Sequence, residues 1–131
     1  FSNYIDVVKS LASHFDSPYL IGGSNIEEEI DKFKKENQFL FATYKTGGES
    51  LNLQFASYWV GVDLPYYLKE LVQALSRIYR VGQKEKTFFY FLVPQIKEIL
   101  RVIEILKEKV SFSEKLFQEN KDYDILRFFN Q

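Results

Sequence analysis

The sequence contains no cysteine, no methionine and a single histidine among its 131 residues. The absence of thiols excludes disulfides and thiolate metal sites, and one histidine excludes the common zinc ligand sets. A chain without disulfides fits a reducing, intracellular compartment. Because the chain lacks methionine and begins at Phe1, we expect it to be a piece of a larger protein.

Long apolar runs and an excess of charge are also missing. No run approaches the roughly 20 apolar residues that span a membrane, and the N-terminus lacks the layout of a signal peptide. These absences predict a cytoplasmic protein with no membrane partner. The 17 lysines and arginines nearly cancel the 18 aspartates and glutamates, so contact with nucleic acid needs a local basic patch.

Aromatic side chains, by contrast, are abundant, with 13 phenylalanines, 9 tyrosines and 1 tryptophan. Each can bury roughly 150 to 250 Å². The hydrophobic share of 46% and the charged share of 27% are typical of a globular protein. The length suits one domain of about 100 to 200 residues, so we expect a single packed domain.

Short apolar runs alternate with segments of helical periodicity. Ser2 and Asn3 are expected to cap the first helix, and a capping box of Ser24 and Glu27 is expected to begin the second. Two runs without polar alternation, 39–43 and 58–62, predict strands covered on both faces. The pattern predicts helices at 4–15, 24–36, 68–78, 95–109, 113–119 and 124–129, strands at 19–21, 39–43, 58–62 and 87–93, and a turn at 45–48.

Strands separated by helices require right-handed crossovers, which produce a parallel sheet. The functional loops of such a sheet follow the carboxyl ends of its strands, and we expect the basic residues to gather beside that edge. Residues 45–50 form one such loop before an expected helix start, where backbone N–H groups suit a phosphate. The alternative is a tight turn whose glycines serve only the backbone geometry.

A second candidate site lies around Gln73, Arg77 and Arg80, on or just beyond one predicted helix. The two arginines are three residues apart and share a helix face, so two guanidinium forks could clasp one phosphate chain. With Lys84 and Lys86 they form the sharpest basic patch of the sequence. The alternative is a solvated helix face.

Five ordered segments resemble motifs of the second RecA-like domain of superfamily 2 helicases: 1–4 (FSNY), 22–24 (GGS), 45–53 (KTGGESLNL), 62–65 (VDLP) and 73–84 (QALSRIYRVGQK). The closing RVGQK narrows the resemblance to Swi/Snf-type DNA translocases. It covers residues 1–93 and implies an α/β, RecA-like three-layer fold, with a mostly parallel sheet flanked by helices. Residues 94–131 are then expected to form a helical extension that braces the domain.

The resemblance implies an ATP site in a cleft shared with an N-terminal RecA-like domain, which supplies the phosphate loop and the Mg²⁺ ligands. Neither motif occurs in this sequence. Double-stranded DNA is the other implied partner, bound through its backbone. The resemblance implies Arg80 as the arginine finger and Arg77 as its neighbour, with ATP contacts at Gly48, Glu49, Gln73, Arg77 and Arg80 and DNA contacts at Ser2, Lys45, Thr46, Gly47 and Asn52.

The expected function is the C-terminal motor half of an ATP-dependent DNA translocase, inactive without its partner domain. Several positions depart from the family pattern, including Ser50, Ser76 and Tyr79, but both arginines remain in place. The departures favour a bacterial or phage protein. One alternative is a degenerate RecA-like module that serves as a protein-interaction platform. Another is an unrelated doubly wound nucleotide binder, which lacks support because no glycine-rich phosphate loop follows the first strand.

Overall fold

The computed structural model describes residues 1–36, 39–47, 51–65, 67–79, 82–92, 94 and 96–116. Helices and strands alternate through this part of the chain, as the apolar pattern predicts. Their order is α1 (Ile5–His14), β1 (Tyr19–Leu20), α2 (Ile26–Glu36), β2 (Phe41–Ala42), α3 (Tyr44–Gly47), β3 (Tyr58–Gly61), α4 (Leu68–Leu75), β4 (Phe88–Phe91) and α5 (Lys97–Leu116).

The first two residues join two strand pairs into one sheet. Strand β1 pairs with β2 and β3 pairs with β4, both in parallel. On one side, the Ser2 N–H donates to the Ala42 carbonyl at 3.1 Å. On the other, the Phe1 nitrogen donates to the Val60 carbonyl at 2.7 Å and the Val62 N–H donates to the Phe1 carbonyl at 2.8 Å. The order across the sheet is therefore β1, β2, the N-terminal segment, β3, β4.

Helices cover the two faces of this sheet unequally. Helix α1 packs on β1 and β2, and its buried residues Val8 and Ala12 lie outside the main core cluster. Right-handed crossovers put α1 on one face and α2 to α4 on the other. The main core lies on the second face and contains Leu20, Ala42, Tyr44, Leu51, Leu53, Trp59, Leu71, Ala74, Leu75 and Ile78. The three layers confirm the predicted α/β architecture with a parallel sheet.

Strand β3 is covered on one face only in the described part of the chain. Trp59 is 1% exposed, whereas Tyr58 is 63% exposed and Val60 is 40% exposed. The expectation that this run is covered on both faces is wrong, because α1, the helix on that face, packs on β1 and β2. Alternation was hidden in the sequence because the outward positions of β3 are as apolar as the inward ones.

The start of α3 contradicts the expected turn at 45–48. Thr43 caps a short helix there, since its hydroxyl oxygen accepts a hydrogen bond from the Thr46 N–H at 3.3 Å. No helix occurs in the stretch 51–57, where a helix start was expected. Gly47 is therefore the last residue of a short helix.

Two predicted helix caps are also wrong. Asn25 rather than Ser24 caps α2, because its side-chain oxygen accepts from the Glu28 N–H at 3.4 Å. The Ser24 hydroxyl instead accepts from the Ile21 N–H at 3.0 Å and closes the preceding turn. Tyr4 occupies the cap position of α1, and its side chain makes no capping hydrogen bond.

The last helix is longer than its periodicity predicted. Helix α5 continues from Lys97 to Leu116, so no break separates 95–109 from the helix expected at 113–119. The helix expected at 124–129 lies outside the described residues. The division between residues 1–93 and a brace at 94–131 stays a prediction, although a helix does occupy the start of the second part.

Candidate functional site

The Asp63 carboxylate joins two chain segments at the carboxyl edge of the sheet. Ser2 Oγ donates to Asp63 Oδ2. Both the backbone N–H and the side-chain Nδ2 of Asn3 donate to Asp63 Oδ1, at 2.8 and 2.7 Å. Asn3 Nδ2 also donates to the Leu64 carbonyl at 2.6 Å. The end of the N-terminal segment is thereby tied to the residues that follow β3.

The Ser2 side chain is turned inward at this edge. Ser2 is 1% exposed, and its hydroxyl oxygen accepts from the Tyr4 N–H at 3.1 Å while donating to Asp63. Its donor and one acceptor position are thus used within the domain. Contact between this hydroxyl and DNA stays a prediction, and the structure gives the side chain a supporting part.

Helix α3 is held at the same edge by two buried hydroxyl contacts. Tyr44 Oη donates to the Asp63 carbonyl at 2.6 Å, and burial, helped by the Asp63 charge, raises the pKa of Tyr44 above its usual range. The Thr43 and Thr46 hydroxyls share a hydrogen bond of 2.8 Å. Thr46 is 2% exposed, whereas the neighbouring Lys45 is exposed to solvent.

Residues 51–57, which we call the connecting segment, run from this edge to the amino end of β3. Leu51 and Leu53 are buried at 0% and 3% exposure, and Asn52 between them is exposed. The Leu53 N–H donates to the Arg77 carbonyl at 3.2 Å. The connecting segment is therefore attached to the end of α4.

Arg77 lies at the opposite end of the sheet from Lys45. Helix α4 follows the carboxyl end of β3 and leads to the amino end of β4, so it runs antiparallel to both strands and ends near the amino edge. The expectation that the basic residues gather at the carboxyl edge is wrong for Arg77. Sequence distance could not show this, because the direction of a crossover helix follows from the sheet topology.

The remaining predicted residues divide between described and undescribed positions. Gln73 and Arg77 are half-buried, and the Gln73 carbonyl accepts from Ser76 Oγ at 2.8 Å. Gly47 is the last residue of α3. Gly48, Glu49 and Arg80 lie outside the described residues, so their predicted roles stay predictions.

Sequence reasoning missed two polar residues that organise these contacts. Asp63 was seen only as part of the VDLP segment, and Gln83 only as part of the RVGQK segment. Asp63 accepts hydrogen bonds from Asn3, 60 positions away, and the Gln83 side chain donates to the Ala56 carbonyl, 27 positions away, so residue type and spacing carried no signal for these partners. Their membership in the resembling motifs was the one sign that could have singled them out.

Two kinds of feature are missing from the residues that the structure describes. No three or more histidine, cysteine, aspartate or glutamate side chains come together there in a group that could hold a metal ion. Within the same ranges, no helix is long and apolar enough to cross a membrane.

The family model of the helicase conserved C-terminal domain matches residues 1–82. The chain belongs to this family. The resemblance to Swi/Snf-type helicase C-terminal domains inferred from the five motifs is confirmed. The match ends at Gly82, seven residues beyond the end of α4, and so includes every predicted site residue.

Curated relatives of this helicase C-terminal domain are much longer proteins. The chain is 34% identical over 92 residues to an uncharacterized ATP-dependent helicase, YqhH, of Bacillus subtilis, covering 70% of this chain and 16% of that protein. It is 29% identical over 126 residues to the ISWI chromatin-remodeling complex ATPase ISW2 of Saccharomyces cerevisiae, covering 90% and 11%. The chain thus corresponds to a small part of each relative.

A solved structure shares the fold. The C-terminal part of the Fun30 ATPase domain matches with a TM-score of 0.69 over 81% of this chain and 37% of that chain, at 22% identity. This likeness confirms the predicted RecA-like architecture.

Proposed function

We propose that this domain is the C-terminal motor half of an ATP-dependent, Swi/Snf-type translocase of double-stranded DNA. It works with an N-terminal RecA-like domain, and ATP binds between the two. The observation that carries the proposal is the hydrogen bond from the Leu53 N–H to the Arg77 carbonyl. This bond joins the segment that follows Lys45 to the helix end that carries the first arginine.

The arginines act on the nucleotide side. Arg77 and Arg80 reach ATP held by the other domain and neutralise the negative charge that builds on the transferred phosphoryl group, an effect worth about 10³ to 10⁵ in rate. Gln73, one helical turn before Arg77, orients them. Arginine suits this role because its guanidinium stays charged and offers a planar fork of donors to phosphate oxygens.

The described residues do not fit a complete Mg²⁺ site. Magnesium takes oxygen ligands and is bound through one or two carboxylates together with substrate phosphates. Asp63 lies at the carboxyl edge, and its two carboxylate oxygens already accept three hydrogen bonds from Ser2 and Asn3. The magnesium ligands therefore belong to the N-terminal domain.

DNA binding involves the carboxyl edge of the sheet and the connecting segment. Lys45 is exposed at that edge, Asn52 is exposed in the connecting segment beside the end of α4, and the main chain of Gly47 lies between them in sequence. These groups bind phosphate oxygens and carry no base information, so DNA binding is sequence-independent. Ser2 and Thr46 support the edge from within.

The test is turnover by the longer parent protein with duplex DNA present. Arg80→Ala and Arg77→Ala should each lower kcat at least about 100-fold with little change in melting temperature. Arg101→Ala is the matched control, because it removes an exposed arginine from α5, and turnover should stay unchanged. The protein-interaction alternative expects unaltered turnover in all three variants.

The isolated 131-residue chain should not hydrolyse ATP. It lacks the phosphate loop and the acidic motif of the other half of the site. Phosphate release that scales with the concentration of the purified chain, and that survives repeated chromatography, would contradict the proposal.

A further inference from the structure

We propose that Gln83 is a positioning residue that couples DNA binding to the arginines. This inference rests on the proposed function and adds a residue to it. Gln83 touches neither DNA nor ATP in this assignment. It acts through the connecting segment and the main chain at the end of α4.

The Gln83 side chain bridges two main-chain segments. Its Nε2 donates to the Ala56 carbonyl at 2.9 Å and to the Ile78 carbonyl at 3.2 Å. Its Oε1 accepts from the Glu85 N–H at 3.0 Å. The opposite amide orientation would aim the oxygen at two carbonyls, so the hydrogen-bond pattern selects this orientation. Both donors are then used to hold the connecting segment against the residue that follows Arg77.

Two further contacts join the connecting segment to the residues that follow α4. The Leu53 N–H donates to the Arg77 carbonyl. Gly82, which has a φ of 99°, packs so closely on Gln54 that an added Cβ would lie 3.3 Å from Gln54 Oε1. The connecting segment thus contacts the residues that follow α4 at three points: Arg77, Gly82 and Gln83.

These contacts attach the connecting segment, which carries Asn52, to the main chain that follows α4. A displacement of Asn52 by a DNA phosphate moves Leu53 and Ala56, since the intervening chain is short. Through Gln83 the same displacement reaches the Ile78 carbonyl, and so the main chain that carries Arg77. Removing the two Gln83 donors leaves both binding surfaces intact and loosens the link between them.

Such a coupling is reciprocal, because a nucleotide that strengthens DNA binding must itself be bound more tightly when DNA is present. The test therefore uses both binding and turnover in the parent protein. Duplex affinity is measured by fluorescence anisotropy with and without a non-hydrolysable ATP analogue. ATP turnover is measured with and without the same duplex.

Two variants and a control define the experiment. Gln83→Met keeps the length of the side chain and removes both donors, and Gln83→Glu keeps the acceptor while aiming negative charge at two carbonyls. Glu85→Ala is the control, because its exposed side chain is removed while its N–H still donates to Gln83. Both Gln83 variants should lower the ratio of DNA-stimulated to basal turnover by about three- to thirtyfold. The effect of the analogue on DNA affinity should shrink by a similar factor, and nucleotide-free DNA affinity should stay within about twofold.

Three outcomes would overturn the inference. Normal stimulation in both Gln83 variants removes the coupling role and leaves the proposed function standing. A loss of folded protein with normal stimulation per folded molecule makes Gln83 a stabilising residue only. A wild-type parent without DNA-stimulated turnover refutes the proposed function and this inference together.

Discussion

Asn3 gives two hydrogen bonds to one oxygen of Asp63: its backbone N–H at 2.8 Å and its side-chain Nδ2 at 2.7 Å. The two residues are 60 positions apart in the chain. Together they fix the N-terminal segment beside β3 and hold the carboxyl edge of the sheet in register.

The first prediction concerns Asp63→Ala in the 131-residue chain. The substitution leaves three donors of Ser2 and Asn3 without their partner, and unmade bonds to a charged acceptor are costly. The free energy of unfolding should fall by about 2 to 3 kcal/mol, as measured by urea denaturation. Asp31→Ala removes an exposed carboxylate of α2 and should change it by less than about 0.5 kcal/mol. Equal losses in both variants would show that the Asp63 network contributes little.

The second prediction concerns pH and applies only to the isolated 131-residue chain, in which Phe1 carries a free amino group. Burial lowers its pKa from 8.0 to about 6, and the Asp63 charge opposes the shift only in part. The unfolded chain therefore binds this proton between pH 6 and 8 while the folded chain releases it. Stability from this group is fully present above pH 8 and is lost as the pH falls through 6, by on the order of 2 kcal/mol.

Acetylation of the amino group provides the control for this pH dependence. The acetylated nitrogen cannot take up a proton but still carries an N–H for the Val60 carbonyl. The free energy of unfolding of the acetylated chain should therefore lack the rise between pH 6 and 8 that the free amino group causes. Identical pH profiles for the free and acetylated chains would contradict the prediction.

The third prediction concerns Gly61, the last residue of β3. An added Cβ would lie 2.7 Å from Tyr44 Oη and 2.9 Å from the Trp59 ring. Gly61→Ala should therefore destabilise the chain by about 1 to 3 kcal/mol. At Gly22, no atom lies within 4 Å of such a Cβ, and Gly22→Ala should change stability by less than about 0.5 kcal/mol.

A double variant identifies the clash as the cause. Tyr44→Phe removes the hydroxyl that the new Cβ would meet. The double variant should therefore lose less stability than the sum of the losses of the two single variants, as measured by thermal denaturation. Strict additivity would mean that the ring of Trp59, or a backbone change, accounts for the loss.

The fourth prediction concerns Lys45 and DNA. In the parent protein, Lys45→Ala should weaken duplex binding equally across unrelated sequences, because phosphate contacts carry no base information. The slope of log K against log salt should flatten by about 0.9, the loss of one phosphate contact. Lys9→Ala removes an exposed lysine from α1 and should leave the slope unchanged. An unaltered slope for Lys45→Ala would remove this residue from the DNA surface.

Local periodicity was enough to predict the types and approximate bounds of most elements. Helix α2 ends at Glu36 as expected and β1 begins at Tyr19 as expected, because apolar spacing and glycine turns act over a few residues. The alternation of helices and strands then predicted a parallel sheet. The ordered motifs predicted the family, which no single glycine pair or arginine pair could have done.

Tertiary structure decided what the polar groups do. Ser2 and Asn3 were expected to cap α1, but their side-chain donors bind the Asp63 carboxylate, about 60 residues away, and the Ser2 hydroxyl oxygen accepts from the Tyr4 N–H. Gln83 likewise finds its partners in the Ala56 and Ile78 carbonyls. A side chain with several polar neighbours in reach binds the strongest available partner, and folding alone determines which neighbours those are. Spacing in the sequence sets the periodicity of the elements, whereas the crossover of α4 sets the end of the sheet at which Arg77 lies.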